Sequence, residues 1–360
     1  MYSTMEEEES QLLAMQMTTA SVLPMVLKAA LELHVFNIIV EAEVGAAAGV
    51  GACLSTQDIV SRLPTQNPDA PRLLDCMLRL LVSHSLLTCT VLIPDHRLYG
   101  LAPASKLFVK DKDGATLATY LHIIQDQALI NSWYHLKESI LEGGGLPFYK
   151  AHGENADDYM TKNPKMGEAF ISCYFEFNAL FMKKVLETYK GFEGVRVLVD
   201  VGGGTGLVLS MIVSKYPSIK GINFDLPHVI ERAAPCSGVE HIGGDMFTSS
   251  IPKGDAILMK QVTHLWSDDE QLLKLLKNCY EALSDNGKMI VVDLISPTSP
   301  ETNVSTKGIL QMEMFMNNLN SGKERTKEEF TALAREAGFA GINVACCAYT
   351  FSVIEFHKKI

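Results

Sequence analysis

Apolar and polar positions change rhythm once along this chain. From about residue 10 to residue 110 the spacing is mainly helical. Gln11–Val40 carries apolar residues three and four positions apart, which gives a helix one buried stripe. Ser55-Thr56-Gln57-Asp58 predicts a capping box opening a short helix through Leu63, with Asp58 in the place usual for Glu. Pro71–Leu87 predicts an amphipathic helix with Arg72, Asp75 and Arg79 on its polar side. Leu87–Ile93 and Arg97–Leu101 predict two short strands around the turn Pro94-Asp95-His96. Helices followed by a hairpin make a winged-helix-like module. Lys110–Gly114 is a polar joint, which places one domain at 1–112 and a second at 113–360.

Leu117–Leu141 and Asn163–Tyr189 predict two long helices. From Val195 onward short apolar runs alternate with helical segments. The strands fall at Val197–Val201, Gly221–Asp225, Val239–Gly243, Ala256–Lys260, Lys288–Asp293, Gly341–Ala348 and Ser352–His357. Helices fall at Ser210–Tyr216, Asp268–Leu283 and Lys327–Ala337. The alternation predicts an α/β, doubly wound, Rossmann-like domain.

A chain of 360 residues exceeds one comfortable core, and a hydrophobic share of 47% supports two packed ones. The net charge of −11 argues against nucleic acid, whose non-specific binding needs basic surface. The eight cysteines form no C-x-x-C pair, and most sit in apolar runs, so buried free thiols and a reducing compartment are expected. The acidic start Glu6–Glu9 is no signal peptide, and Ser21–Val40, interrupted by Pro24, Lys28, Glu32 and His34, is a poor membrane span. These features predict a cytosolic protein. Gln11–Val40 is too apolar to stand alone, which predicts burial against a second subunit.

The most chemical stretch is Leu198-Val-Asp-Val-Gly-Gly-Gly-Thr-Gly206. A buried strand feeds a turn in which missing side chains let a ligand approach the backbone. The dinucleotide pattern G-x-G-x-x-G fails, because the sixth position is Leu207, and no Walker lysine follows. An acid followed by G-x-G-x-G is the pattern of S-adenosylmethionine (SAM) sites. Asp225 ends the next strand, where a carboxylate can accept ribose hydroxyls, and Leu226 adjoins it. Asp245 and Met246 suit the edge and face of an adenine, and Lys260 ends the following strand. A single strand-end acid could simply cap a helix. Asp200, Asp225 and Asp245 at successive strands point to a cofactor.

These residues resemble the plant small-molecule O-methyltransferases of the caffeic acid type. The resemblance runs through the glycine turn, Lys215–Ile230, Gly238–Phe247 and Gly322-Lys-Glu-Arg-Thr326, and reaches Leu98–Pro103 and Val22–Leu27. It implies a homodimer whose N-terminal domain makes the contact. It also implies SAM binding by Gly202, Asp225, Asp245, Met246 and Lys260. His264 matches the family's general base, and Glu324 matches one of its two flanking acids. Asp293 stands where the family has glutamate, one methylene longer, so Asp293 is expected to reach less well. Lys323 and Arg325 offer both acids an ordinary ion pair instead. A phenol with a pKa near 10 is protonated at neutral pH. A positioned histidine that removes that proton contributes roughly 10²–10⁴-fold. No metal is expected, since ligand spacing such as H-x-x-x-H is absent.

The chain departs from the family around the acceptor. Gln261-Val-Thr-His-Leu-Trp266 replaces Trp-Ile-Cys-His-Asp-Trp. Met160, Met166, Tyr174 and Phe177 stand where lignin-type members carry His, Phe, Met and His. Leu319-Asn-Ser-Gly322 replaces Asn-Pro-Gly-Gly. Leu129, Phe170, Trp266, Met314 and Phe315 would complete an apolar wall, while Phe175, Phe177 and Phe181 could instead be plain helix core, the two readings being even for Phe181. The loss of polar groups points to a less polar phenol than caffeic acid: an alkaloid, stilbene, flavonoid or allylphenol. Two other readings keep the fold: methylation of nitrogen, and a non-catalytic SAM-binding dimerisation partner.

Overall fold

The computed structural model describes residues 4–45, 53–93 and 96–359. The chain divides into two compact units: residues 1–130 with 168–177, and residues 131–167 with 178–360. The helix Pro164–Thr188 gives its middle turns to the former and its ends to the latter.

The first unit opens with three helices, Thr4–Thr18, Val22–Glu32 and Val35–Gly45, where the sequence suggested one continuous stripe. The third begins just after His34, which sits at φ +54°, a left-handed bend that interrupts the helical path. The capping box forms: Ser55 Oγ accepts from the Asp58 N–H at 3.1 Å, and Asp58 Oδ2 accepts from the Ser55 N–H at 3.0 Å. The helix it opens, Thr56–Val60, stops three residues before Leu63. Ala70–Ser83 buries Leu74, Leu78 and Leu81 at helical spacing. The hairpin follows as β1 (Leu87–Ile93) and β2 (His96–Leu101), paired antiparallel. Pro94 and Asp95 of the expected turn lie outside the described residues. Phe36, Ile39, Ile59, Leu78 and Tyr99 centre this core. The predicted helix Leu117–Leu141 is three short ones, Ala118–Ile124, Gln127–Trp133 and Leu136–Glu142.

The second unit is built on seven strands: β3 (Val197–Val201), β4 (Lys220–Asp225), β5 (Val239–Gly243), β6 (Gly254–Lys260), β7 (Leu283–Leu294), β8 (Gly341–Ala348) and β9 (Phe351–His357). Their order is β5-β4-β3-β6-β7-β9-β8. All pairings are parallel except those of β9, which runs against both β7 and β8. The central strands are apolar on both faces because helices cover both, as parallel sheets require. The order reverses between β3 and β6, so their carboxyl ends bound the crevice where such sheets hold ligands. The helix Val304–Leu319, absent from the alternation read in the sequence, begins at Asn303, whose side chain caps Thr306 N–H at 2.8 Å.

All eight cysteines are free, but only Cys173 and Cys279 are buried, against the expectation of mostly buried thiols. Cys76 lies on the outer side of its helix, and Cys347 points outward from the edge strand β8. Among the described residues no single helix is long and apolar enough to cross a membrane.

Ser55→Ala removes one cap of the Thr56–Val60 helix and is expected to cost about 1 kcal/mol. Chemical denaturation should show an earlier first transition, while an unchanged midpoint would mean the box contributes nothing.

Candidate active site

The expected cofactor residues gather along one sheet edge. Gly202 follows β3, Asp225 ends β4, Asp245 and Met246 follow β5, and Lys260 ends β6. Gly202 holds φ +73°, and a Cβ there would meet Val262 Cγ2 at 2.8 Å and Met246 Cε at 3.5 Å. Gly203 is tighter still: a Cβ would fall 2.2 Å from Asn223 Oδ1 and 2.7 Å from the Asp200 carboxylate. The turn is thus packed hard on its inner side. Asp225 Oδ2 accepts from the Gly204 N–H at 2.8 Å and its Oδ1 from the Leu226 N–H at 2.7 Å. Asp245 is committed to its own turn, accepting from the Phe247 N–H at 2.9 Å and the Thr248 hydroxyl at 3.0 Å. Beneath the turn, Asp200 Oδ2 and Asn223 Oδ1 are buried without a hydrogen-bond partner. Burial drives the Asp200 carboxyl up to about 7 against the pull of Lys260. Burial likewise drives Lys260 down to about 7, against the charges of Asp293 and Asp200.

The second cluster is assembled across long stretches of chain. After β6, Gln261 turns at φ +53°, and a short 3-10 turn, Thr263–Leu265, carries His264. Lys260 lies beside Val292 in the β6–β7 register, which brings Asp293 close to that turn. Arg325 pairs in parallel with Ile295 just past β7, and this places Glu324 against the same turn. His264 is 7% exposed, Asp293 0% and Glu324 5%, so three ionisable groups share one buried place. His264 Nδ1 lies 2.7 Å from Glu324 Oε1 and 3.8 Å from Asp293 Oδ1. The first is a charge-assisted hydrogen bond and the second is beyond hydrogen-bond range. The acceptor carboxylate assigns the proton to Nδ1 and leaves the lone pair on Nε2. Burial alone would disfavour the imidazolium. The Asp293 charge and the Glu324 hydrogen bond outweigh it, so His264 holds its proton more tightly than a free histidine. Burial raises Glu324, helped by the Asp293 charge and opposed by His264.

One ligand-type atom from each of these three residues lies within 4.8 Å of the others. Sequence spacing could not reveal the group, because its members come from three separate segments. The Nδ1–Oε1 contact is that of a hydrogen-bonded pair.

Two residues hold this cluster in ways the sequence did not show. Arg325, 1% exposed, donates to the carbonyls of Thr263 and Trp266 at 2.8 Å each and to Asp269 Oδ1 at 2.8 Å. It ties down both sides of the His264 turn. Thr263 donates its hydroxyl to Asp293 Oδ2 at 2.5 Å. Arg325 and Lys323 therefore do not pair with the two acids: Arg325 meets Asp269 at 2.8 Å and Lys323 meets Glu329 at 2.7 Å.

The expected acceptor residues are distributed over both units. Leu129, Phe170, Tyr174 and Phe177 belong to the first, where Leu129 is buried and Phe177 stacks on Tyr120 at 5.0 Å. Met160, Met166, Trp266, Met314, Phe315 and Leu319 belong to the second. Phe315 and Leu319 share one face of the Val304–Leu319 helix, with Phe315 buried and Met314 exposed. Trp266 packs edge-on against Phe247 at 5.1 Å. Phe181 is core: it meets Phe351 edge-on at 4.8 Å and lies under Lys260. Phe175 is exposed.

Residues 133–340 match the family model of the O-methyltransferase domain, and residues 15–111 that of the O-methyltransferase dimerisation domain. The chain belongs to the O-methyltransferase family of the caffeic acid type. The caffeic acid 3-O-methyltransferase of Rosa chinensis is 54% identical over 98% of this chain and 96% of that protein. Caffeic acid 3-O-methyltransferase 1 of Populus tremuloides is 53% identical over the same shares. A calicheamicin-biosynthesis methyltransferase, CalO1, superposes with a TM-score of 0.81 at 18% identity, covering 99% of both chains. Human N-acetylserotonin methyltransferase does so with a TM-score of 0.76 at 20% identity, covering all of both. At such identities these two likenesses speak for the fold alone.

Members of this O-methyltransferase family take their methyl group from SAM. The crevice fits that cofactor. A Cβ on Gly204 would meet nothing within 4 Å, so the turn is open on its outer side although closed within. Carboxylates at the ends of β4 and β5 offer acceptors for hydroxyls and an amino group, and suit a cationic donor.

Gly203→Ala forces a Cβ onto Asn223 and Asp200. Calorimetric titration of SAM is expected to show binding weakened about tenfold or more. Wild-type affinity would contradict the close packing assigned to the turn.

Proposed function

We propose that this O-methyltransferase moves the methyl group of SAM to a phenolic hydroxyl, with His264 as general base and Glu324 and Asp293 as its flanking acids. The observation that carries the proposal is the buried 2.7 Å bond from His264 Nδ1 to Glu324 Oε1. It fixes the tautomer and leaves Nε2 to receive a proton. When bound, SAM supplies a sulfonium methyl group already activated for in-line displacement. Gly202, Asp225, Leu226, Asp245, Met246 and Lys260 would hold it. What remains for the protein is to align the acceptor and remove its proton. His264, with its raised proton affinity, is better matched to a phenol than a free histidine is. Charge arriving on the imidazole is met by two buried carboxylates, as an orienting acid does beside a catalytic histidine.

The relatives are named for caffeic acid. The acceptor residues of this chain, Leu129, Met160, Met166, Phe170, Tyr174, Phe177, Trp266, Met314, Phe315 and Leu319, carry no charged group to meet a carboxylate. A neutral phenol of plant specialised metabolism is therefore the proposed acceptor. The dimerisation-domain match and the exposed Leu12, Leu13, Met15 and Met17 on the first helix support a homodimer. They also support a division of labour near residue 112, with dimerisation before it and catalysis after it. A cytosolic location is in keeping with the acidic, cysteine-containing chain.

His264→Ala is expected to lower kcat by about 10²–10⁴-fold with SAM affinity unchanged. Retained turnover would point to an amine acceptor instead. Chelator is expected to leave turnover intact; a loss restored by a divalent cation would contradict the proton-transfer role of the trio. A phenol panel with labelled SAM, read by mass spectrometry, should favour neutral phenols. Faster turnover on caffeic acid would overturn the neutral acceptor.

A further inference from the structure

Asp293 is fully buried, yet the base does not hold it in place. Its Oδ1 is 3.8 Å from His264 Nδ1 and has no hydrogen-bond partner. Its Oδ2 accepts from the Thr263 hydroxyl at 2.5 Å and from the Thr263 N–H at 3.2 Å. The residue immediately before the base thus sets the orientation of the acid that faces it. Two groups of positive character act on this carboxylate, His264 and the buried ammonium of Lys260. A carboxylate free to turn would not keep one oxygen aimed at the ring.

We propose that Thr263 is a positioning residue for methyl transfer, anchoring Asp293 Oδ2 so that Oδ1 stays turned to His264. This rests on His264 being the general base. The groups facing His264 are Asp293 from β7, Glu324 from the segment before Arg325, and Lys260 from β6. Behind them, Asp200 of β3 acts on Lys260, and Glu313 of the Val304–Leu319 helix acts on Glu324. Of the two acids beside His264, Asp293 is the one oriented by a hydroxyl that can be removed without changing a charge. Valine has nearly the shape of threonine and cannot donate. With the hydroxyl gone, Oδ2 keeps one longer N–H donor, and less negative charge is held toward His264.

The sign follows directly. His264 must be deprotonated to act, so kcat/KM rises with pH through its pKa. Less negative charge lowers that pKa, so the acid limb moves to lower pH.

The test compares pH profiles of kcat/KM for wild type, Thr263→Val, Thr263→Ser, Asp293→Asn and the Thr263→Val/Asp293→Asn double variant, with SAM binding as the measure of folding. Thr263→Val is expected to move the acid limb down by a few tenths to about one unit, the scale of one nearby charge. Its plateau should fall roughly tenfold. Thr263→Ser should keep both, and Thr263→Val should move nothing further once Asp293 is Asn. Thr263→Cys, a weaker donor of similar size, should fall between, and it serves where the valine variant does not fold. Lost activity with the limb in place would mean a merely structural threonine and would overturn the proposal. So would an equal shift in the Asn background. If His264→Ala retains turnover, it is the base assignment that fails. If that variant is inactive and the limb of Thr263→Val does not move, the positioning role alone fails.

Discussion

The hydrogen bond from His264 to Glu324, closed to water and faced by Asp293, is the constraint on which the proposed chemistry depends. Two acids flank one imidazole in a site nearly sealed from solvent. Like charges at such depth repel strongly, because little solvent screens them. A proton taken up on Nε2 turns the imidazole into the counter-ion both acids lack. The driving force for deprotonating an acceptor is built into the site. The cost of keeping such a cluster folded falls on its surroundings, above all on Arg325, whose guanidinium binds the carbonyls on either side of the His264 turn. A buried arginine replaced by anything shorter would release that turn.

Sheet topology joins the proposed base to the proposed donor site. The reversal of strand order sets the glycine turn after β3 beside the end of β6. Gln261 starts the loop that leads from Lys260 to His264 within four residues. Cofactor edge and base therefore share one strand end. Lys260 belongs to both, since the charges of Asp200 and Asp293 both act on it.

What was legible in the sequence is what is local. The glycine turn, the acids at strand ends and the Ser55 box each lie within a few residues, and their geometry follows from residue type. The strands from Val197 onward were legible because parallel strands buried on both faces leave continuous apolar runs. Helix breaks were not. His34 and the interruptions between Ala118 and Glu142 arise from tertiary packing, which overrides propensity. In the site, the Glu324 contact spans 60 positions and the Thr263–Asp293 bond 30. Only the family resemblance pointed to the first, and nothing pointed to the second. Asp293 stands 3.8 Å from the ring, and the Thr263 hydroxyl bonded to it could be seen only in three dimensions. Acceptor specificity was the least legible, since the residues expected to set it come from four helices and one loop and no local rule joins them.

The most direct test of the base assignment is the titration of the His264 ring by nitrogen-15 NMR in the unliganded enzyme, with Glu324→Gln as the comparison. The account predicts a neutral form protonated at Nδ1, with a pKa above the ordinary histidine value of about 6.5 that falls in the variant. A neutral form protonated at Nε2, or a pKa below the ordinary value and indifferent to Glu324, would contradict it.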